Sequence, residues 1–170
     1  KKNFFDFNFE SLKLFLNKDL GIEGKKVSMR SKQIWQSVYK KGSFDITKLT
    51  TFPLELRNKL NNLISLQRHK IEKTQTSSDG TIKWLIKLFD GNEVECVYIP
   101  EKTRATLCIS SQVGCTLNCR FCHTGTQRLV KNLSFAEIVN QVMIAKEQIS
   151  DWNEQKKITN IVLMGMGEPF

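Results

Sequence analysis

The chain has 170 residues, 40% hydrophobic and 25% charged. That composition suits one ordinary globular domain, or a small domain with part of another, and excludes wholesale disorder. No apolar run reaches the roughly 18 residues a membrane-spanning helix needs, and the start Lys1-Lys2-Asn3-Phe4-Phe5 has no secretory h-region, so the expected compartment is the cytoplasm and no membrane partner is expected. The net charge of +9 is carried mainly by the first 100 residues, with 12 Lys or Arg against 3 Asp or Glu between positions 24 and 75. A basic stretch of that kind either attracts a polyanion such as nucleic acid or is the solvated side of Lys-rich helices.

In chain order, residues 9–73 read as helical. Leu12, Leu16 and Leu20, then Ile34, Trp35, Val38 and Tyr39, then Leu56, Leu60, Leu63 and Leu66 keep helix spacing, with breaks at Gly21, Gly24, Gly42 and Pro53. The polar run from Thr74 to Gly80 reads as a linker or loop. From Thr81 to Phe89 the residues Ile82, Trp84, Ile86 and Leu88 alternate with polar ones, Asp90-Gly91 is a tight-turn pair, and Val94–Ile99 returns as the second strand of a hairpin closed by Pro100. On that strand Glu95 and Cys96 point to opposite faces.

Ala105–Ile109 is a short apolar strand, followed by a long loop bearing Gly and Cys residues that runs to Asn132. Ser134 and Glu137 make a capping box, opening a helix whose apolar face is Ile138, Val139, Val142, Met143, Ala145 and Ile149. Residues 158–164 read as a buried strand closed by Gly165-Met166-Gly167-Glu168-Pro169. Strand, loop, helix and strand form one βαβ unit and predict a parallel sheet. One such unit cannot cover both faces of its sheet, which predicts either further protein beyond it or poor stability.

Five cysteines, Cys96, Cys108, Cys115, Cys119 and Cys122, are too clustered for a secreted disulfide framework and point to metal or redox chemistry. The core of the pattern is C-x3-C-x2-C. Three thiolates on one tight loop can hold three irons of a cuboidal cluster and leave the fourth open to a small molecule, at the C-terminal end of a strand where α/β proteins place their sites. Zinc bound by Cys115, Cys119, Cys122 and His123 is a rival, weakened because His123 directly follows Cys122. Covalent haem on Cys119-Arg-Phe-Cys122-His123 is another, which would leave Cys115 idle. Taken singly, Cys108 reads as a core residue, Glu95 as one polar residue in a strand beside Glu93, and Gly167-Glu168-Pro169 as a strand-end turn.

The C-x3-C-x2-C motif, with Phe121 before the third cysteine and Gly167-Glu168-Pro169 after a helix and strand, resembles the radical S-adenosylmethionine (SAM) superfamily. Arg104-Ala-Thr-Leu-Cys108-Ile-Ser-Ser-Gln-Val-Gly-Cys115 and Met164-Gly-Met-Gly-Glu-Pro169 narrow the resemblance to the dual-specificity rRNA/tRNA adenine-C2 methyltransferases, the RlmN family. The run Ser31-Lys-Gln-Ile-Trp-Gln-Ser-Val-Tyr39-Lys-Lys-Gly42 resembles their accessory domain.

The resemblance implies an α/β fold. A helical accessory RNA-binding domain would span 1–75, a linker and β-hairpin 76–100, and the first βαβ unit of an incomplete radical SAM (β/α) barrel 101–170. It implies a 4Fe–4S cluster on Cys115, Cys119 and Cys122, SAM on the cluster, and Gly167 and Glu168 at the methionyl amine. In the family one SAM methylates a cysteine near the C-terminus. A second is cleaved to a 5′-deoxyadenosyl radical, which takes hydrogen from that methyl, and the resulting carbon radical adds to carbon 2 of adenine, leaving a covalent protein–RNA adduct. Glu95 matches the family's general base, and Cys108 matches the cysteine that resolves the adduct while a disulfide forms with the emptied carrier. Cys96 has no family role and reads as core.

Family members are longer, and no cysteine follows Cys122 here. The expectation is therefore a monomeric N-terminal part that lacks the methyl carrier and is inactive alone, with rRNA and tRNA as partners and, for a split polypeptide, a complementary C-terminal chain. The alternative is a non-catalytic RNA-binding iron–sulfur or zinc module.

Overall fold

The computed structural model describes residues 1–117, 119–152 and 157–168. The chain divides into two compact units, Lys1–Arg68 and His69–Phe170.

The first unit runs β1 (Lys2–Asn3), a 3-10 turn (Phe4–Asp6), α1 (Phe9–Lys18), α2 (Lys25–Tyr39), a second 3-10 turn (Ile46–Lys48), α3 (Leu54–Leu63) and β2 (Ile64–Ser65), with β1 and β2 paired in parallel. Asn8 caps α1 by accepting the Ser11 N–H, while the Ser11 hydroxyl accepts the Asn8 N–H. Leu12, Leu16, Ile34, Val38 and Leu60 are fully buried with Phe4 and Phe5. Trp35 and Tyr39, one helical turn apart on α2, pack as a tilted pair with ring centroids 4.6 Å apart. Burial pushes the Tyr39 hydroxyl up to about 12 against the opposing pull of Arg68.

The helical reading of residues 9–73 fails at its end. α3 stops at Leu63, Leu63 and Leu66 share no helical face, and Lys70–Thr76 is a strand, β3. The cause is tertiary: β3 pairs antiparallel with β4 from Lys70↔Lys87 to Thr76↔Ile82, and that ladder overrides the helix spacing of the leucines before it. Thr74–Thr76 belong to this strand, so the expected loop shrinks to the turn at residues 77–80, where the Gly80 N–H donates to Ser77 O at 3.0 Å.

The second unit is built on a five-stranded sheet in the order β3–β4–β5–β6–β9, with β4 at Ile82–Lys87, β5 at Glu93–Pro100, β6 at Ala105–Cys108 and β9 at Asn160–Val162. The hairpin forms as the sequence indicates, turning at Asp90-Gly91 with Gly91 at φ +90°. It does not stand apart from the βαβ unit, because β5 pairs antiparallel with β6. Only the β6–β9 pair is parallel, so the sheet is mixed. A short antiparallel pair, β7 (Gln112–Val113) with β8 (Lys131–Asn132), brackets the cysteine loop.

Helix α4 (Phe135–Gln148) follows, with the Ser134–Glu137 capping box present in both directions. Trp84, Ile86, Val94, Cys96, Leu107 and Ile144 form the centre of the core. The buried side of α4 also carries Asn140 and Gln141, two amides that the apolar pattern passes over. Each binds backbone: Asn140 Oδ1 accepts the His69 N–H at 3.2 Å, and Gln141 bonds Ser110.

The strand expected over 158–164 is shorter and less buried. Ile158 packs in the core, but Ile161, Leu163 and Met164 are exposed, because β9 pairs with β6 along one side only among the described residues. No helix among the described residues is long and apolar enough to cross a membrane.

His69 is buried against Phe89, 4.2 Å between ring centroids, and neither ring nitrogen has a hydrogen-bond partner among the described residues. Burial holds its pKa below the usual 6.5; Glu137 and Asp90 pull it up, and Lys131 pushes it down. An unfolded chain therefore takes up a proton near pH 6.5 that the folded chain refuses, so stability is lost as the pH falls below that value. Denaturant unfolding at pH 5.5 and 7.5 should show a smaller pH dependence in His69→Gln than in the wild type.

Candidate functional site

The cysteine loop leaves the sheet after β6 and is closed by backbone bonds. Val130 N–H donates to Val113 O at 2.8 Å, and Cys115 N–H donates to Gln127 O at 3.4 Å. Inside it, Cys122 N–H donates to Cys119 O at 3.1 Å, and His123 leads into a 3-10 turn at Thr124–Thr126. Cys115, Cys119 and Cys122 are half-buried and free, with no disulfide among them, and Cys115 Sγ accepts the Leu117 N–H at 3.4 Å. Phe121, between the second and third cysteines, is 93% exposed.

Three unbridged thiols on one loop are the donor chemistry an iron–sulfur cluster takes. Their side chains are not gathered, however: among the described residues no group of three His, Cys, Asp or Glu converges on a point where a metal ion could sit. The fit is one of donor type and loop position.

Beside this loop lies a cleft of about 530 Å³, within the size range of small-molecule sites. One wall is the sheet face carrying Lys83, Leu85, Glu93 and Glu95, and the other is formed by His123, Thr124, Gln127 and Met166. Pleating explains the first wall, since residues two apart on β4 and β5 share a face. Glu95, half-exposed, pairs with Lys83 at 2.9 Å between Nζ and Oε1. An ion pair this open to solvent is screened, and it orients the carboxylate more than it stabilises the fold.

Cys108 stands opposite Val97, and Val97 opposite Lys83, so Cys108 is on the same sheet face as Glu95. Burial raises its thiol pKa, and a hydrogen bond from the Met164 backbone works the other way. Cys96 points into the core on the opposite face, and burial, with Cys108 nearby, pushes its thiol up to about 12.

Gly167 and Glu168 lie in the segment after β9, which rests on residues 109–112. Gly165 N–H donates to Ile109 O at 3.0 Å, and Met166 O accepts the N–H groups of Ser111 and Gln112 at 2.9 and 3.2 Å. Close approach demands glycine. A Cβ on Gly165 would stand 2.7 Å from the Ile109 carbonyl carbon, and one on Gly167, at φ +100°, would stand 2.5 Å from Gln112 Cβ. Pro169, the last residue of the Gly-Glu-Pro motif, and Asn118, between the first two loop cysteines, lie outside the described residues.

The structure thus brings Glu95 and His123 to one cleft and Cys108 to the same sheet face as Glu95, with Gly167 and Glu168 attached to the strand end from which the cysteine loop springs. The sequence reading did not single out Lys83, Ser110, Gln112 or Gln141 as parts of this arrangement. The available signals were a run of three polar residues, Ser110-Ser111-Gln112, after an apolar strand, and an amide pair in the middle of an amphipathic helix.

No protein-family model matches the chain. Among curated proteins it is similar to the dual-specificity RNA methyltransferases RlmN of Rhodopseudomonas palustris strain BisB5, at 48% identity over 163 residues, and of Nitrobacter winogradskyi, also at 48% over 163 residues. Each match covers 89% of this chain and 41% of the relative. Among solved structures, the crystal structure of a radical SAM methyltransferase from Sphaerobacter thermophilus superposes with a TM-score of 0.86 at 34% identity, covering 100% of this chain and 48% of that one. In class, the chain is kin to the radical SAM methyltransferases. Over most of its own length it is homologous to the RNA methyltransferases named RlmN. It spans less than half the length of the curated relatives it matches.

The burial pattern orders the thiols by reactivity. Alkylation of the native, cluster-free protein should modify Cys115, Cys119 and Cys122 first and Cys108 more slowly. Cys96 should lag the loop cysteines by roughly 100-fold or more, since the thiolate is the reactive form. Peptide mass spectrometry over a time course reads this order, and early labelling of Cys96 would contradict its placement.

Proposed function

We propose that this chain is the cluster-loop and base-bearing part of a radical SAM enzyme that methylates carbon 2 of adenine in rRNA and tRNA, in the cytoplasm. The observation that carries the proposal is the cleft walled on one side by Glu95 and on the other by residues that directly follow Cys122. A proton acceptor and the cysteine loop thereby face one substrate-sized space.

Cys115, Cys119 and Cys122 would hold a 4Fe–4S cluster, and the bound cluster and SAM supply the one-electron chemistry and the methyl group. Glu168 offers a carboxylate to the methionyl ammonium of SAM, a charge-assisted pairing, with Gly167 giving the backbone its close approach. Glu95 takes the proton from carbon 2 of adenine, held in the cleft by Lys83. Cys108, on the same sheet face, is placed to resolve the covalent protein–RNA adduct, and its disulfide partner would be the methyl-carrying cysteine of the family. The first unit, with Lys25, Lys26, Arg30 and Lys32 on α2, supplies phosphate contacts that give affinity without reading sequence. The adenine must leave its stack to reach the cleft.

The test is methylation of an rRNA fragment and a tRNA by this chain, anaerobically reconstituted together with a C-terminal polypeptide that supplies the methyl-carrying cysteine, using methyl-labelled SAM. Label at carbon 2 of adenine is expected. Glu95→Gln should lower the rate by roughly 10²- to 10⁴-fold while leaving SAM binding intact. RNA binding that is indifferent to SAM, with no label in adenine, would replace this reading with that of a non-catalytic RNA-binding module.

A further inference from the structure

The segment Gly165–Glu168 is held by two side chains as well as by backbone. Ser110 Oγ accepts the Met166 N–H at 2.9 Å and donates to Glu95 O at 2.6 Å. Gln112 Oε1 accepts the Glu168 N–H at 3.0 Å, and Gln112 Nε2 donates to Asn132 Oδ1 at 2.8 Å. Acceptors two residues apart on one strand end thus meet donors two residues apart on the facing segment, a ladder completed by side chains. Gln112 is buried, three residues before Cys115, and Asn132 is its β8 partner at the far end of the cysteine loop. A single side chain therefore touches the start of the loop, its end and the residue that carries the Glu168 carboxylate.

We infer that Gln112 is a positioning residue for SAM. It fixes Glu168 relative to the cysteine loop, so that the carboxylate meets the methionyl ammonium while the cysteines hold the cluster. This rests on the assignment of Cys115, Cys119 and Cys122 to the cluster and of Gly167 and Glu168 to SAM. Gln112 itself touches the backbone of Glu168 and acts through it. Ser110 shares the task from the other side, joining the same segment to the strand that bears Glu95.

The experiment measures SAM affinity by equilibrium dialysis on the reconstituted full-length protein, together with the change that SAM induces in the electron paramagnetic resonance spectrum of the reduced cluster. Gln112→Met keeps the side chain's length and removes its hydrogen bonds. It should weaken SAM binding about tenfold, the scale of one lost buried hydrogen bond, and blunt the spectral change at unaltered cluster content. Gln112→Glu keeps an acceptor for the Glu168 N–H but no donor for Asn132 Oδ1, and should recover about a threefold part of the loss. Asn132→Ala, at an exposed position, breaks the far end of the link without disturbing packed side chains and should weaken binding about threefold. Thr159→Val serves as the control, since it removes the hydroxyl bonded to both Ala105 N and Ala105 O, each at 3.0 Å, at the other end of β6, and should leave SAM affinity unchanged.

Wild-type affinity in both Gln112→Met and Asn132→Ala overturns the inference alone. Equal weakening by Thr159→Val reduces Gln112 to a general structural role and also overturns it. Failure of the wild-type protein to bind SAM overturns the assignment of the site itself, and the inference with it.

Discussion

Gly165 and Gly167 let the segment after β9 lie directly on the backbone of residues 109–112, and the rest of the site end depends on that approach. With side chains at either glycine the two segments would be pushed apart, and the bonds from Ser110, Ser111 and Gln112 to Met166 and Glu168 would be lost together. Because the same residues 110–112 also begin the cysteine loop, the docking fixes where the loop leaves the sheet. Gln141 holds the other side of the junction by binding both the N–H and the C=O of Ser110, at 2.8 and 2.9 Å, as a neighbouring strand would.

The Gln141 amide at this junction is made safe by pairing, whereas the Ser111 hydroxyl beside it has no partner among the described residues. Gln141 is fully buried in α4, and such an amide left unpaired would cost about 1–3 kcal/mol; its oxygen and its nitrogen both find the Ser110 backbone. Lys131 plays a similar part at the far end of the loop, bonding Asp90 in the hairpin turn and Glu137 in the first turn of α4. Its ammonium holds the Asp90 carboxyl down at about 2. His69 is the contrast, buried in the same unit with both ring nitrogens unpaired among the described residues.

The elements that local chemistry dictates were legible in the sequence: the Asp90-Gly91 hairpin, the Ser134–Glu137 cap and the cysteine loop after a short strand. Each rests on neighbours a few residues apart. What escaped depended on distant pairing. β3 looked helical because leucine spacing ran on past Leu63, whereas its actual partner, β4, begins six residues after its end. The joining of the hairpin to the βαβ unit in one mixed sheet likewise follows from the β5–β6 ladder, which no periodicity announces. In the site, the cysteines stood out by spacing. Glu95 did not, since one glutamate in a strand beside another has no spacing signal, and only the family resemblance singled it out. Ser110, Gln112 and Gln141 were invisible because polar residues are singled out only when it is known what they bind.

The hairpin strand β5 carries Glu95 and Cys96 side by side, and the pleat sends one to the cleft and the other to the core. Cys108, on the neighbouring strand, shares the face of Glu95. Parity along the strand therefore acts as insulation. A register slip of β5 by a single residue would bring the spare thiol to the side where Cys108 stands and drive a carboxylate among Trp84, Ile86 and Leu107. The apolar core, which has no chemical part in the site, is thus what keeps the number of thiols on the working face at one.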